Sequence, residues 1–160
     1  HHAEAHASED DQKNYVNWWT AVANHLKDKD YRLSFNLFTE LGVDQCGDSC
    51  GESLRNNRKK YTRWTRDVVK AIRGTKGRNI DCILILGSPT KTAKGLSKID
   101  KSIYENDKYM MAEWHIYASG PNKNEGSAKY WKGKGESECR DKVDEAMEQG
   151  PTIPASEAIF

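Results

Sequence analysis

The sequence predicts an α/β fold built on a parallel sheet, and two observations carry that expectation. Residues 80–86, IDCILIL, form an apolar run that polar residues interrupt only at its start. A strand buried on both faces of a parallel sheet reads in this way. Around that run the segments follow in the order helix, strand, helix, strand, helix, strand, helix, strand, which is the α/β pattern.

At 160 residues the chain supports one domain, residues 1–160, large enough for a real core. Its 25 basic residues against 24 acidic ones leave a net charge of +1. No global field therefore points to nucleic acid or a membrane surface. No segment approaches a transmembrane length. The chain opens HHAEAHASED, with neither Met nor an apolar leader. It is expected to be a processed product or a piece of something longer.

Residues 11–27 predict an amphipathic helix, with Tyr15, Trp18, Trp19, Val22, Ala23 and Leu26 in one apolar stripe. Those tryptophans read as helix-to-sheet packing rather than as a sugar platform. Residues 31–42, YRLSFNLFTELG, predict a buried strand between the KDKD turn and Gly42, with Glu40 at its C-terminal tip. Taken alone, Glu40 reads as a loop acid; a place at a strand tip in an α/β chain makes it a candidate for chemistry. A long polar loop over 43–57 follows. Residues 60–73 predict a helix burying Tyr61, Trp64, Val68, Val69 and Ile72, stopped by Gly74 and Gly77.

After the strand at 80–86, GSPTKTAKG is a loop without phosphate-loop spacing. Residues 96–104 predict a short helix, and residues 109–117, YMMAEWHIY, a third strand. His115 and Tyr117 lie two apart at its end, on one side, whereas Trp114 alternates outward to the helices. A Gly/Lys/Asn-rich loop carries Tyr130 and Trp131. Residues 137–149 then predict a helix with Cys139, Val143, Ala146 and Met147 inward, and residues 151–160 a fourth short strand bearing Glu157.

The cysteines are Cys46, Cys50, Cys82 and Cys139. Their spacings do not suit a four-thiolate zinc site. The glycines of CGDSCG permit a local Cys46–Cys50 disulfide, the preferred reading, in a secreted protein. HHAEAH is not the HExxH signature, because Glu4 is misplaced.

Parallel strands put Glu40, the loop from Gly87, His115 with Tyr117, and Glu157 on one edge. Two glutamates with a histidine and aromatics between them can cut a glycosidic bond. One carboxyl protonates the leaving oxygen while the other attacks the anomeric carbon.

In these pieces the sequence resembles glycoside hydrolase family 5, the cellulase and mannanase family of (β/α)8 barrels. FNLFTELG is similar to the fourth-strand phrase that the family ends in Asn-Glu-Pro, and EWHIY to the His-x-Tyr of the sixth strand. PTIPASEAIF is similar to the seventh-strand phrase ending Gly-Glu, and the opening His1–His2 to the histidine-bearing end of the third. The resemblance implies a TIM-barrel fold of which this chain carries only the central part, about four βα units. It implies Glu40 as acid/base and Glu157 as nucleophile of a retaining mechanism. His115, Tyr117, Thr39, His2 and Trp131 would contact substrate, and no metal or cofactor is needed. Thr39, Leu41 and Ser156 depart from the family's asparagine, proline and glycine, and strands one, two and eight have no counterpart.

The function so implied is hydrolysis of β-glycosidic bonds in a polysaccharide by a secreted cellulase-type enzyme. The alternative is a carbohydrate-binding or matrix protein derived from such a barrel with catalysis weakened. An unrelated α/β protein with incidental glutamates would hold Glu40 and Glu157 more than about 10 Å apart. The implied partners are an oligosaccharide or polysaccharide, and either a second copy of the chain or the remainder of a barrel, since open sheet edges seek partners.

Overall fold

A computed structural model describes residues 7–39, 54, 56–89, 93–115 and the isolated positions 137, 140, 141 and 144. Helix α1 spans Glu9–Leu26, starting two residues before the expected position. Its start follows from a capping box. The Ser8 hydroxyl accepts from the Asp11 N–H, and the Asp11 carboxylate accepts from the Ser8 N–H, both at 3.0 Å. Glu9, Asp10 and Asp11 in the first turn meet the positive end of the helix dipole.

The buried stripe of α1 is Gln12, Tyr15, Trp19 and Ala23. Trp18 does not share it: the side chain is 58% exposed, with its ring edge-on to Trp19. The reason is angular. Trp18 sits roughly 100° round the helix from the middle of that stripe, and the sheet covers only the stripe itself. Trp19 does pack as expected, its ring edge-on to Phe35 at 5.7 Å.

Strand β1 is Ser34–Asn36, shorter than the expected 31–42. Asp30 holds the preceding residues in a turn: its carboxylate takes the Arg32 N–H and guanidinium, and its carbonyl takes the Leu33 N–H at 3.1 Å. Ladder pairing extends one step past the strand, from the Leu37 N–H to the Ile85 carbonyl at 3.0 Å.

Helix α2 spans Arg58–Gly74. Asn57 caps it by accepting the Lys60 N–H at 3.0 Å. Tyr61, Trp64, Val68 and Ile72 are fully buried, and Val69 packs at their margin. Of the two glycines expected to stop this helix, Gly74 still belongs to it and has open space where a Cβ would stand. The reversal falls at Lys76 and Gly77, both with positive φ. Glycine is needed at the second because a Cβ there would press on the Lys27 carbonyl. The 3₁₀ turn Gly77–Ile80 follows and takes Ile80 out of the expected strand into solvent.

Strand β2, Ile83–Gly87, is buried along nearly its whole length, as the apolar run requires. The expected helix at 96–104 is two 3₁₀ pieces, Ala93–Lys98 and Lys101–Ile103. Asp100 divides them by accepting both the backbone N–H and the hydroxyl of Ser102. Strand β3 is Met110–Glu113. The three strands form one sheet in the order β1-β2-β3, both pairs parallel. Ser137, Arg140, Asp141 and Asp144 are helical and exposed, in keeping with the helix expected at 137–149. The expected fourth strand lies outside the described residues.

Helices α1 and α2 pack on each other and on one face of the sheet through an aromatic centre. Tyr15 stacks on Phe38 at 5.1 Å and lies 5.6 Å from Trp64, and Phe38 lies 5.5 Å from Tyr61. Each such side chain, fully buried, contributes about 1.5–3 kcal/mol. Among the described residues no helix is long and apolar enough to cross a membrane. Cys82 is a buried free thiol, pushed up from its ordinary pKa by burial, with Arg73 opposing the shift. Cys46, Cys50 and Cys139 lie outside the described residues.

Candidate active site

Because the three strands are parallel, their C-terminal tips share one edge. Side chains alternate along each strand. Phe35, Leu84, Leu86, Met110, Ala112 and Trp114 belong to the core under the helices, so Trp114 turns outward as its alternation against His115 predicts. The intervening positions, Asn36, Ile85, Gly87, Met111 and Glu113, face the opposite side. In an α/β barrel that side is the interior, and the tips above it carry the chemistry.

Two helix tyrosines fasten the tips. Tyr15 donates its hydroxyl to the Leu37 carbonyl, and Tyr61 donates to the Gly87 carbonyl at 2.6 Å. Burial pushes the Tyr61 hydroxyl far above the ordinary phenol range, so it remains a donor. Gly87 answers to a close approach. A Cβ built there would overlap the Phe38 carbonyl oxygen, so the chain leaving β1 crosses directly against the end of β2. Thr39 follows, exposed and one residue before Glu40.

On the inward face, register sets Asn36 level with Ile85, Ile85 level with Met111, and Gly87 level with Glu113. Glu113 uses both carboxylate oxygens. Oε2 accepts from the Asn36 amide across the sheet, and Oε1 lies 2.6 Å from His115 Nε2. The Glu113 side chain is only 12% exposed and that of His115 25%. A carboxylate so shielded needs these partners, since an unpaired one would cost several kcal/mol. Among the described residues no three His, Cys, Asp or Glu side chains gather as a metal site requires.

Of the candidate residues read from the sequence, the structure places His115 at the end of β3 and Thr39 at the exit of β1, on the same edge. Glu40, Glu157, Tyr117, His2 and Trp131 lie outside the described residues. Sequence reasoning missed Glu113 and Asn36. The signal was the two-residue alternation that paired His115 with Tyr117, because the same step backwards lands on Glu113.

A parallel sheet under helices, with polar side chains gathered above its C-terminal edge, defines an α/β protein. The sequence matches the cellulase family, glycosyl hydrolase family 5, over residues 1–158, and the chain belongs to that family. Among solved structures it is similar to a family-5 xyloglucan-specific endo-β-1,4-glucanase from a metagenomic library, seen with cellotriose. The TM-score is 0.63 at 19% identity, covering 87% of this chain and 41% of that one. A family-5 lichenase from Caldicellulosiruptor sp. F32 gives a TM-score of 0.61 at 20% identity, covering 86% and 40%. A broad-specificity endoglucanase from an uncultured bacterium gives 0.60 at 19%, covering 89% and 42%. The likeness is one of fold, and the chain spans about two fifths of the length of these structures. No curated protein matches the sequence significantly.

Proposed function

We propose that this chain carries the central part of a β-glycoside hydrolase site acting on a β-glucan-type polysaccharide by a retaining mechanism. The observation that supports this most directly is the shared edge. The exit of β1, which runs through Thr39 into Glu40, lies on the same side of the sheet as His115. Membership of the cellulase family supports the substrate class, as do the neighbours described as endoglucanases and lichenases.

In this reading Glu157 attacks the anomeric carbon while Glu40 protonates the departing oxygen. Water, deprotonated by Glu40, then releases the sugar from Glu157. A retaining mechanism requires its two carboxyls roughly 5–5.5 Å apart, close enough for direct attack. His115, Tyr117, Thr39, His2 and Trp131 contact or orient the sugar. The closed barrel that such a site needs is completed by further polypeptide or by a second copy of the chain. A polymer too large to enter a cell calls for a secreted protein, a setting in which the two cysteines of CGDSCG would pair.

The test is reducing-sugar release from soluble β-glucans, xylan and mannan by the unmutated protein and by Glu157→Gln and Glu40→Gln. Turnover abolished in both variants, with the product anomer retained by NMR, is the expected result. An inverted product overturns the mechanism. Retention on one polymer without cleavage overturns hydrolysis in favour of binding.

A further inference from the structure

Resting on that glycosidase reading, we propose that Glu113 is a positioning residue, which holds His115 and the tip of β1 in working register. Its neighbours on the inward face, Ile85 and Met111, are apolar, as befits a layered barrel interior. A carboxylate on the same face carries a desolvation cost that an apolar side chain would not. What the carboxylate supplies instead is geometry, because both of its oxygens are engaged by groups from different strands.

The first connection spans β2. Glu113 on β3 reaches Asn36 on β1 although a whole strand lies between them. Gly87, level with Glu113, has no side chain, and the Phe38 carbonyl stands where its Cβ would be. Asn36 lies four residues before Glu40, so this bond ties the strand that delivers Glu40 to the strand that delivers His115. The second connection is to the ring. A carboxylate 2.6 Å from Nε2 takes the N–H there, which sets both the ring plane and the nitrogen that carries the proton. With its oxygens so occupied, Glu113 does not reach substrate; it acts through His115 and Asn36.

The experiment uses the full chain with Glu113→Ala, Glu113→Gln, His115→Ala and the Glu113→Ala/His115→Ala double variant, assayed on a soluble β-1,4-glucan oligosaccharide. Glu113→Ala is expected to lower kcat by roughly 10- to 100-fold, with KM within about threefold. The double variant is expected to be no worse than His115→Ala alone, the signature of two residues acting as one unit. Glu113→Gln keeps an acceptor for the ring N–H and recovers much of the lost rate. Independently of turnover, the ring N–H of His115 gives a low-field, slowly exchanging proton resonance. That resonance is lost in His115→Ala and Glu113→Ala and displaced in Glu113→Gln.

Losses that add in the double variant, or a resonance unmoved in Glu113→Gln, overturn the proposal. Should Glu113→Ala not fold, the Glu113→Gln resonance and rate decide it alone. If the unmutated protein cuts no glucan yet the resonance responds as described, the hold of Glu113 on His115 stands and the hydrolase reading fails.

Discussion

The Tyr61 hydroxyl donates to the Gly87 carbonyl at 2.6 Å, so helix α2 is fastened to the C-terminal tip of the middle strand by a buried polar bond. The pair does what apolar packing cannot: it sets the height of the helix along the strand. Tyr61→Phe keeps the ring but leaves that carbonyl without its donor. The expected loss is about 1–2 kcal/mol, read as a fall in the urea midpoint at unchanged slope. An unchanged midpoint would show that water serves the carbonyl equally well.

The same hydroxyl makes the fold sensitive to alkali. Burial raises its pKa in the folded state, so the folded protein holds this proton at a pH where the unfolded chain has released it. That stability is fully present below the ordinary tyrosine value of about 10 and declines as pH rises beyond it. Burial pushes Tyr104 the same way. Thermal melts taken upward through that pH are expected to fall steadily, and less steeply in Tyr61→Phe. Parallel curves for the two proteins would count against Tyr61 as a source.

Gly87→Ala puts a methyl group on the Phe38 carbonyl, and backbone has little room to give. A cost of about 1–3 kcal/mol is expected, measurable by thermal melting. The displaced segment runs through Thr39 to Glu40, so on the proposed function glucan cleavage falls further than the folded fraction does. Equal falls would separate the strand crossing from the site.

Arg73 is the staple at the other end of the sheet. Its guanidinium binds Asp107 at 2.9 Å and donates to the carbonyls of Asn79, Cys82 and Tyr109. Both charged side chains are mostly shielded, at 17% and 20% exposure. Arg73→Met strands the Asp107 carboxylate and is expected to cost about 3 kcal/mol. Arg73→Lys recovers only part, because a single ammonium cannot serve a fork of acceptors. A urea midpoint for Arg73→Met within error of the unmutated protein would refute the staple.

What could be read in advance followed from local chemistry. The apolar period found both helices, and the run ILIL found the buried middle strand, since these patterns need only a helix or strand to display them. The family phrases led to the correct family. Short-range hydrogen bonding trimmed the rest. Asp30 turned residues 31–33 away from β1, and Asp100 broke the expected helix at 96–104 into 3₁₀ pieces. Gly74, a stop signal by composition, stayed in its helix because the reversal two residues later is held by the Lys27 carbonyl, which accepts from the Arg78 N–H.

By itself, then, the sequence determined the α/β class, the inward faces of the helices and the outward turn of Trp114, all consequences of periodicity within one element. Only the tertiary structure decided that Trp18 stands in solvent and that Gly87 lies beneath the Phe38 carbonyl. It alone joined Asn36 to Glu113 across 77 residues of chain. The physical reason is register. Which residues of β1 and β3 come level is fixed by hydrogen bonds through the strand between them, and neither segment carries that information alone.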